Sequence, residues 1–264
     1  MTGMFLSVAV KNANFMIPRG IREISPGPLP RHIHVHQLCT YFRQRGVARL
    51  LLEGVPEGYY VNAMQSAAAF LLELRRAADA AKATSFARPF FDAVSAGYWD
   101  AALDIVASSR TTWNPDFEYE DDFYYVWFLM LACKGAPPAE LDDVLAHYRD
   151  VLEGVYDARW SICRALFDRD ERAFDGALRR LLDRRRDEVD ELSQGSAMRG
   201  ETTAWLQHFA LEGVALLRIA ERLGLSPAHD FLYCPDVLRT DSPFVFDPNA
   251  WMQPDFRPTT RSTP

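Results

Sequence analysis

Apolar residues recur at intervals of three and four positions through most of this chain, which is the rhythm of a helix with one buried face. Residues 60–82, for example, place Met64, Ala67, Ala68 and Leu71 on one side. β-branched residues nowhere alternate repeatedly, so no large sheet is predicted. With glycines and prolines as punctuation, the pattern predicts helices at residues 31–45, 60–82, 84–96, 98–109, 119–133, 139–152, 155–167, 171–187 and 199–223.

The chain divides into three stretches. Residues 1–30 alternate weakly and end in SPGPLP, whose three prolines oppose a helix, so an extended leader is predicted. Residues 31–225 form the helical domain. Residues 226–264 are rich in proline and predict an irregular tail that packs on this domain through Phe244, Phe246 and Trp251.

The predicted fold class is all-α, an array of antiparallel helical hairpins. Two segments, AVSAGYWDAALDIVA and ALFDRDERAFDGALRRLL, each place an aromatic and then a small residue on a helix after a tight turn. This arrangement is loosely tetratricopeptide-like, because small residues let stacked hairpins approach closely. The two copies do not follow the repeat of about 34 residues that defines that class.

Charge and composition exclude several classes of partner. The formal net charge of −7 and the isoelectric point near 5.4 argue against nucleic acid and anionic lipid, and favour a basic partner. No apolar run reaches the roughly 20 residues that span a bilayer, and no signal peptide is recognisable, so a cytoplasmic protein is expected. The cysteines, Cys39, Cys133, Cys163 and Cys234, are far apart, which predicts reduced thiols and no zinc cage.

Five carboxylates between Asp116 and Asp122 run directly into the aromatic stretch FYYVWF. One interpretation is the charged first turn of a core helix, since carboxylates stabilise helix N-termini. The other is a docking surface for a basic partner, in which charge speeds encounter and aromatic residues anchor the complex. The calcium-loop pattern is missing, and no second polar shell indicates acid–base catalysis.

Other candidate chemistry is weak. His32, His34 and His36 could suggest a metal site, but on a helix only His32 and His36 share a face, so no metal or cofactor is predicted. Nucleophile-elbow and phosphate-loop motifs are missing, so no catalytic residue is predicted. The arginines between Arg179 and Arg186 are interleaved with acids, which is typical of a solvated helix face.

The most specific text is TTAWLQHFALEGVALLRIAERLGLSPAHDFLYCPDVL, in which a helix rich in small residues ends at Gly224 and precedes Tyr233, Pro235 and Leu238. Upstream lie GYWDAAL from Gly97 and a pattern running from Arg159 through Cys163 to Leu178. Over roughly residues 60–240 the chain resembles immunity protein family forty-nine of bacterial polymorphic toxin systems. The resemblance implies a non-enzymatic cytoplasmic antidote, encoded beside a secreted toxin that it binds.

The predicted function is therefore an immunity protein that neutralises its cognate toxin by surface complementarity. A helical-repeat scaffold that binds peptide segments of partner proteins is the alternative, and a metal-dependent hydrolase is a third. The resemblance transfers no toxin-contacting residue, so the candidate surface comes from the acidic pattern alone. Its predicted residues are Glu118, Glu120, Asp121, Asp122, Tyr124, Glu140, Asp142 and Asp143.

Overall fold

The structure, a computed structural model, describes residues 2–24, 32–194 and 205–261, and within them it contains ten α-helices and no strand. The helices are α1 (Thr2–Ile24), α2 (His32–Glu53), α3 (Glu57–Arg76), α4 (Arg88–Ser95), α5 (Trp99–Ser108), α6 (Glu120–Lys134), α7 (Pro138–Val151), α8 (Ala158–Asp168), α9 (Glu171–Gln194) and α10 (Leu211–Arg222). Short 3-10 turns lie at Asp79–Ala81, Thr84–Phe86, Asp236–Leu238 and Ala250–Met252.

The array of helical hairpins predicted from the sequence is confirmed. Helices α1, α2 and α3 pack in succession, α6 pairs with α7, and α8 pairs with α9. Short connections force these neighbours to run antiparallel. Helix α10 returns to pack against α4 and α6, which joins the two halves of the array. The tetratricopeptide likeness stays a prediction.

The prediction of an extended N-terminal leader is wrong. Residues Thr2–Ile24 form helix α1 instead. Leu6, Ala13, Ile17 and Ile24 are buried along one side of it, against α2. Pro18 lies inside this helix, where a proline costs about 3 kcal/mol. Burying a large aliphatic side chain contributes about 1.5–3 kcal/mol, so three such residues outweigh the proline. The predicted SPGPLP linker lies outside the described residues.

The helix predicted at 199–223 starts later, at Leu211. Residues 205–208 form a turn, and residues 199–204 lie outside the described part of the chain. Two interactions replace helical hydrogen bonds: Arg185 Nη2 donates to the carbonyls of Leu206 (2.8 Å) and Phe209 (2.7 Å). The Ala210 N–H donates to the carbonyl of Tyr233 at 2.9 Å, which ties this turn to the tail.

A buried ion pair connects the first helices. Arg43 on α2 donates two hydrogen bonds to the carboxylate of Asp92 on α4, at 2.8 and 2.6 Å, and both side chains are at most 3% exposed. The Ser66 hydroxyl on α3 donates to the same carboxylate at 2.6 Å. One carboxylate therefore joins three helices. Removing either partner would leave the other as a buried charge without compensation, which strongly destabilises a fold.

The tail crosses α3 and α5 as an irregular strap. Gln65 Nε2 on α3 donates to the carbonyls of Ala250 (3.1 Å) and Gln253 (2.6 Å), and Trp251 is buried. At the α4–α5 turn, Gly97 has φ +70° and lies directly against Asp241 of the tail. A Cβ there would lie 2.8 Å from the Asp241 Cα, so only glycine allows both the turn and the approach of the tail.

We expect Gly97→Ala to destabilise the fold more than the matched variant Gly135→Ala. Both glycines have left-handed backbone, at φ +70° and +75°, so each alanine carries a strain of about 1–2 kcal/mol. A Cβ on Gly135 has no other atom within 4 Å, whereas one on Gly97 collides with the tail. Urea denaturation should show an extra loss of about 1 kcal/mol or more for Gly97→Ala. Equal losses would contradict the proposed contact.

We expect the stability of the protein to fall steeply above about pH 9. Burial raises the pKa of Cys39, Cys133 and Cys234 to about 12, from 9.0. The unfolded chain therefore releases these protons first, so stability is complete below pH 9 and is lost between pH 9 and 12. Each thiol removes about 1.4 kcal/mol per pH unit in that window. Urea unfolding measured across this pH range gives the slope of the unfolding free energy against pH. Cys133→Ala should reduce this slope by the equivalent of one proton released on unfolding, and an unchanged slope would contradict the raised pKa of Cys133.

Candidate partner-binding site

The predicted surface lies on the hairpin of α6 and α7. Glu120, Asp121 and Asp122 occupy the first turn of α6, where carboxylates meet the positive end of the helix dipole. Gly135 ends this helix in left-handed conformation, and Pro138 opens α7. The hairpin turns the aromatic face of α6 onto the core, where Phe123, Val126 and Met130 are buried and Trp127 is partly buried.

Glu118 does not belong to an exposed surface. It is only 9% exposed, and its carboxylate accepts the backbone N–H groups of Ser85 (2.7 Å) and Asn114 (3.2 Å). It therefore fixes the loop before α6 onto the 3-10 turn at Thr84–Phe86. The physical reason is that two buried N–H groups need an acceptor, and a carboxylate supplies a strong one.

Asp121 and Asp122 surround an arginine of α8. Arg159 donates to Asp122 at 2.5 Å and to Asp121 at 3.1 Å, and Asp157 accepts at 3.1 Å from the same guanidinium. Burial opposes the charge of Arg159, but Tyr148 and the hydrogen-bonded carboxylates of Asp122 and Asp157 outweigh that cost and raise its pKa. These two acids lock α6 to α8, and less of their charge remains for a partner.

Of the remaining predicted residues, Glu140 and Asp143 are exposed, whereas Glu120 and Tyr124 are half-buried. Tyr124 on α6 stacks on His147 of α7, with ring centroids 5.8 Å apart. Burial raises the pKa of Tyr124, and the nearby charge of Glu120 adds to the effect. Glu140 and Asp143 share the face of α7 that carries His147, by their spacing of three and four residues. We name the surface formed by Glu120, Tyr124, Glu140, Asp143 and His147 the acidic hairpin face.

Asp142 belongs to a neighbouring surface. Its carboxylate lies 3.5 Å from Arg164 on α8, which binds Asp168 more closely, at 2.6 and 2.7 Å. The Asp142 side chain is 62% exposed. It therefore contributes to the field around the acidic hairpin face without sharing that face.

The net charge of the chain is concentrated here. Residues 116–150 contain nine acidic and two basic residues, a formal charge of −7 that equals that of the whole protein. The rest of the chain is therefore formally neutral. Arg159 and Arg164 of α8 offset part of this charge, and the acids that remain unpaired would attract a basic partner.

Two exposed aromatic residues next to the acidic hairpin face were missed in the sequence analysis. Phe117 is 50% and Tyr119 is 78% exposed. They alternate with acids in the segment DFEYE. The backbone here is a turn followed by a bend, in which Glu118 is buried and the aromatic rings on either side of it stay exposed. The alternation of aromatic and acidic residues in DFEYE was the sequence signal that could have identified them.

The histidine cluster has a structural place. Helix α2 includes all three positions, and the ring of His36 packs edge-on against Phe70 at 5.4 Å, with its Nε2 3.8 Å from Glu73. No group of three or more His, Cys, Asp or Glu side chains could hold a metal ion within the ranges that the structure describes. The four cysteines are buried free thiols. None of the described helices is both long and apolar enough to cross a bilayer.

Comparison with protein families supplies one match. The model described as immunity protein 49 matches residues 51–238, which confirms the resemblance drawn from the motifs. Neither curated proteins nor solved structures matched the chain. The matched region includes α3–α10, so it contains the acidic hairpin face, and α1 lies outside it. Its motif positions act in packing and capping; Asp170, for example, accepts the Ala173 N–H at the start of α9.

We expect Glu118→Ala to destabilise the protein, with Asp143→Ala as the matched control. The first variant leaves two backbone N–H groups without their acceptor, at about 1–3 kcal/mol for a buried group. Asp143 is exposed, so its loss should change stability by less than about 0.5 kcal/mol. Chemical denaturation measures both. Equal stability of the two variants would contradict the inward placement of Glu118.

Proposed function

The chain belongs to the immunity protein 49 family, and from this premise we propose that it binds and neutralises one cognate protein toxin through the acidic hairpin face. The family indicates an antitoxin role. Surface complementarity is the proposed mode of inhibition, with no chemical step by the immunity protein. We further propose that it acts in the cytoplasm of the producing cell, on a toxin that is basic where it docks.

The concentration of charge is the observation that carries this proposal. Residues 116–150 carry a formal charge of −7, part of which Arg159 and Arg164 of α8 offset. The remaining negative field would steer a basic protein toward this hairpin. Such steering raises association rates by one to three orders of magnitude at low salt. An antidote must capture its toxin before the toxin reaches its target, so fast association is the property that this charge distribution supports.

Exposed aromatic residues supply a second line of support. Phe117 and Tyr119 lie on the loop that leads into Glu120. Aromatic side chains that become buried at the centre of an interface dominate binding free energy, while charged residues at the rim govern rate and specificity. The neighbouring arrangement of two rings and three carboxylates fits this division of roles.

The face is also held in place before a partner arrives. Glu118 anchors the loop, Arg159 ties the start of α6 to α8, and the Tyr124–His147 stack joins α6 to α7. Pre-organisation lowers the entropic cost of association because fewer side chains and loops must be ordered on binding. This lower entropic cost favours tight binding of the toxin.

A survival assay tests the function itself. The toxic domain encoded beside this gene is expressed in a host cell with and without the immunity protein. The proposal expects growth only when both are present, and recovery of one dominant complex from the cells. Failure to protect, or recovery of many unrelated partners through short segments, would favour the peptide-binding scaffold instead.

Charge reversal tests the proposed surface. The triple variant Glu120→Lys, Glu140→Lys and Asp143→Lys should slow association with the toxin by about tenfold or more at low salt, with a smaller effect at high salt. A matched triple variant changes three exposed acids elsewhere, Glu57→Lys, Asp100→Lys and Glu191→Lys. Both carry the same net charge, so equal slowing by the two would show that only net charge matters and would remove the acidic hairpin face from the account.

A further inference from the structure

A cleft lies between the two halves of the helical array, although the sequence indicated no such cavity. Its largest part has a volume of about 680 Å³ and is lined from α2, α4, α6, α8 and α10. Two further cavities, of about 160 and 420 Å³, continue it toward α9. Pockets that hold small organic ligands have volumes of about 300–1,000 Å³, so the cleft is large enough for one.

Two charged residues mark the junction of these cavities. Arg88 and Glu212 line all three of them. Arg185 lines the two smaller cavities beside them. These residues come from α4, α10 and α9, so only the folded array brings them together.

Most charges in the cleft walls are already paired. Arg43 holds Asp92, Arg159 is surrounded by three aspartates, and Arg184 binds Glu188 at 2.9 Å. Glu212 accepts the hydroxyl of Tyr125 at 2.6 Å. Arg185 donates to two backbone carbonyls, and among the residues that the structure describes it donates to no carboxylate.

Arg88 differs from the other arginines of the cleft. It makes no hydrogen bond and no ion pair with the described residues, and its side chain is exposed to the cleft. Enclosure lowers the pKa of Arg88, and the charge of Arg43 lowers it further. Burial lowers the pKa of Arg185, and Arg88 contributes to that effect. Arg88 therefore presents an unpaired guanidinium to the cleft, next to Arg185 and Glu212.

We propose that this cleft is a binding site for a carboxylate-bearing ligand, held by Arg88 and Arg185, whose apolar part lies along the largest cavity. A carboxylate would give Arg88 the ion-pair partner that it lacks among the described residues. The planar fork of an arginine matches the two oxygens of a carboxylate. Phe86, Phe91 and Val126 of the largest cavity supply an apolar wall for the rest of the ligand.

The proposed ligand has two sources, a free organic acid or an acidic side chain in a partner protein. The site is independent of the toxin-binding proposal, because no residue of the acidic hairpin face lines these cavities. A negative result for one proposal therefore leaves the other standing.

Calorimetric titration of the full chain tests the site with matched probes. Phenylacetate represents a free acid and phenylacetamide is its uncharged control. The peptide acetyl-Phe-Glu-Phe-amide represents an acidic side chain, and acetyl-Phe-Gln-Phe-amide is its control. The proposal expects at least one acid to bind about tenfold or more tightly than its amide. The acid that binds identifies the source.

Arg88→Gln is the decisive variant, since Arg88 makes no hydrogen bond or ion pair with the described residues. It should weaken binding of the acid about tenfold or more, while Arg88→Lys retains part of it. Arg76→Gln, at an exposed position on α3, is the matched control and should bind as the unmodified chain does. No binding of either acid up to about 10 mM, equal binding of acid and amide, or equal binding by Arg88→Gln would overturn the proposal.

Discussion

A charge that is buried away from water needs an opposite charge or hydrogen bonds around it, and the helices of this protein are arranged to meet that requirement. The buried pair of Arg43 and Asp92 shows how. This pair, with Ser66, fixes α2, α3 and α4 to one another. Arg159 repeats the solution in the second half of the chain with three aspartates, and Glu118 repeats it with two backbone N–H groups. The helices are packed by their apolar faces, and their relative positions are specified by these polar contacts.

The same constraint separates structural charges from available ones. Acids that are paired within the fold hold the α6–α7 hairpin against its neighbours. Glu120, Glu140 and Asp143 make no ion pair with the described residues, and they form a separate face. In the cleft, Arg88 makes no hydrogen bond or ion pair with the described residues. We propose that these two separate surfaces bind different partners, a basic protein at the acidic hairpin face and a carboxylate at Arg88.

Helical periodicity was enough to predict the hairpin array, since the apolar faces of residues 31–187 decide burial locally. It failed for α1, where Pro18 and weak alternation concealed a buried stripe whose partner, α2, comes later in the chain. The acidic stretch was predicted as a unit, but the sequence did not indicate which of its acids is buried. Glu118 faces inward because it accepts the N–H groups of Ser85 and Asn114, which come from other parts of the chain. The cleft could not be predicted because Arg88, Arg185 and Glu212 are far apart in sequence. Arg185 was predicted to lie on a solvated helix face, whereas in the fold it donates to the carbonyls of Leu206 and Phe209.

Hydrogen–deuterium exchange of the protein alone and in complex with the toxin domain encoded beside it tests the central claim most directly, because exchange locates a binding surface without altering its charge. The account predicts new protection in residues 116–124 and 139–147, with little change elsewhere on the exterior. Protection confined to other helices, with exchange of the α6–α7 hairpin unchanged in a stable complex, would contradict it.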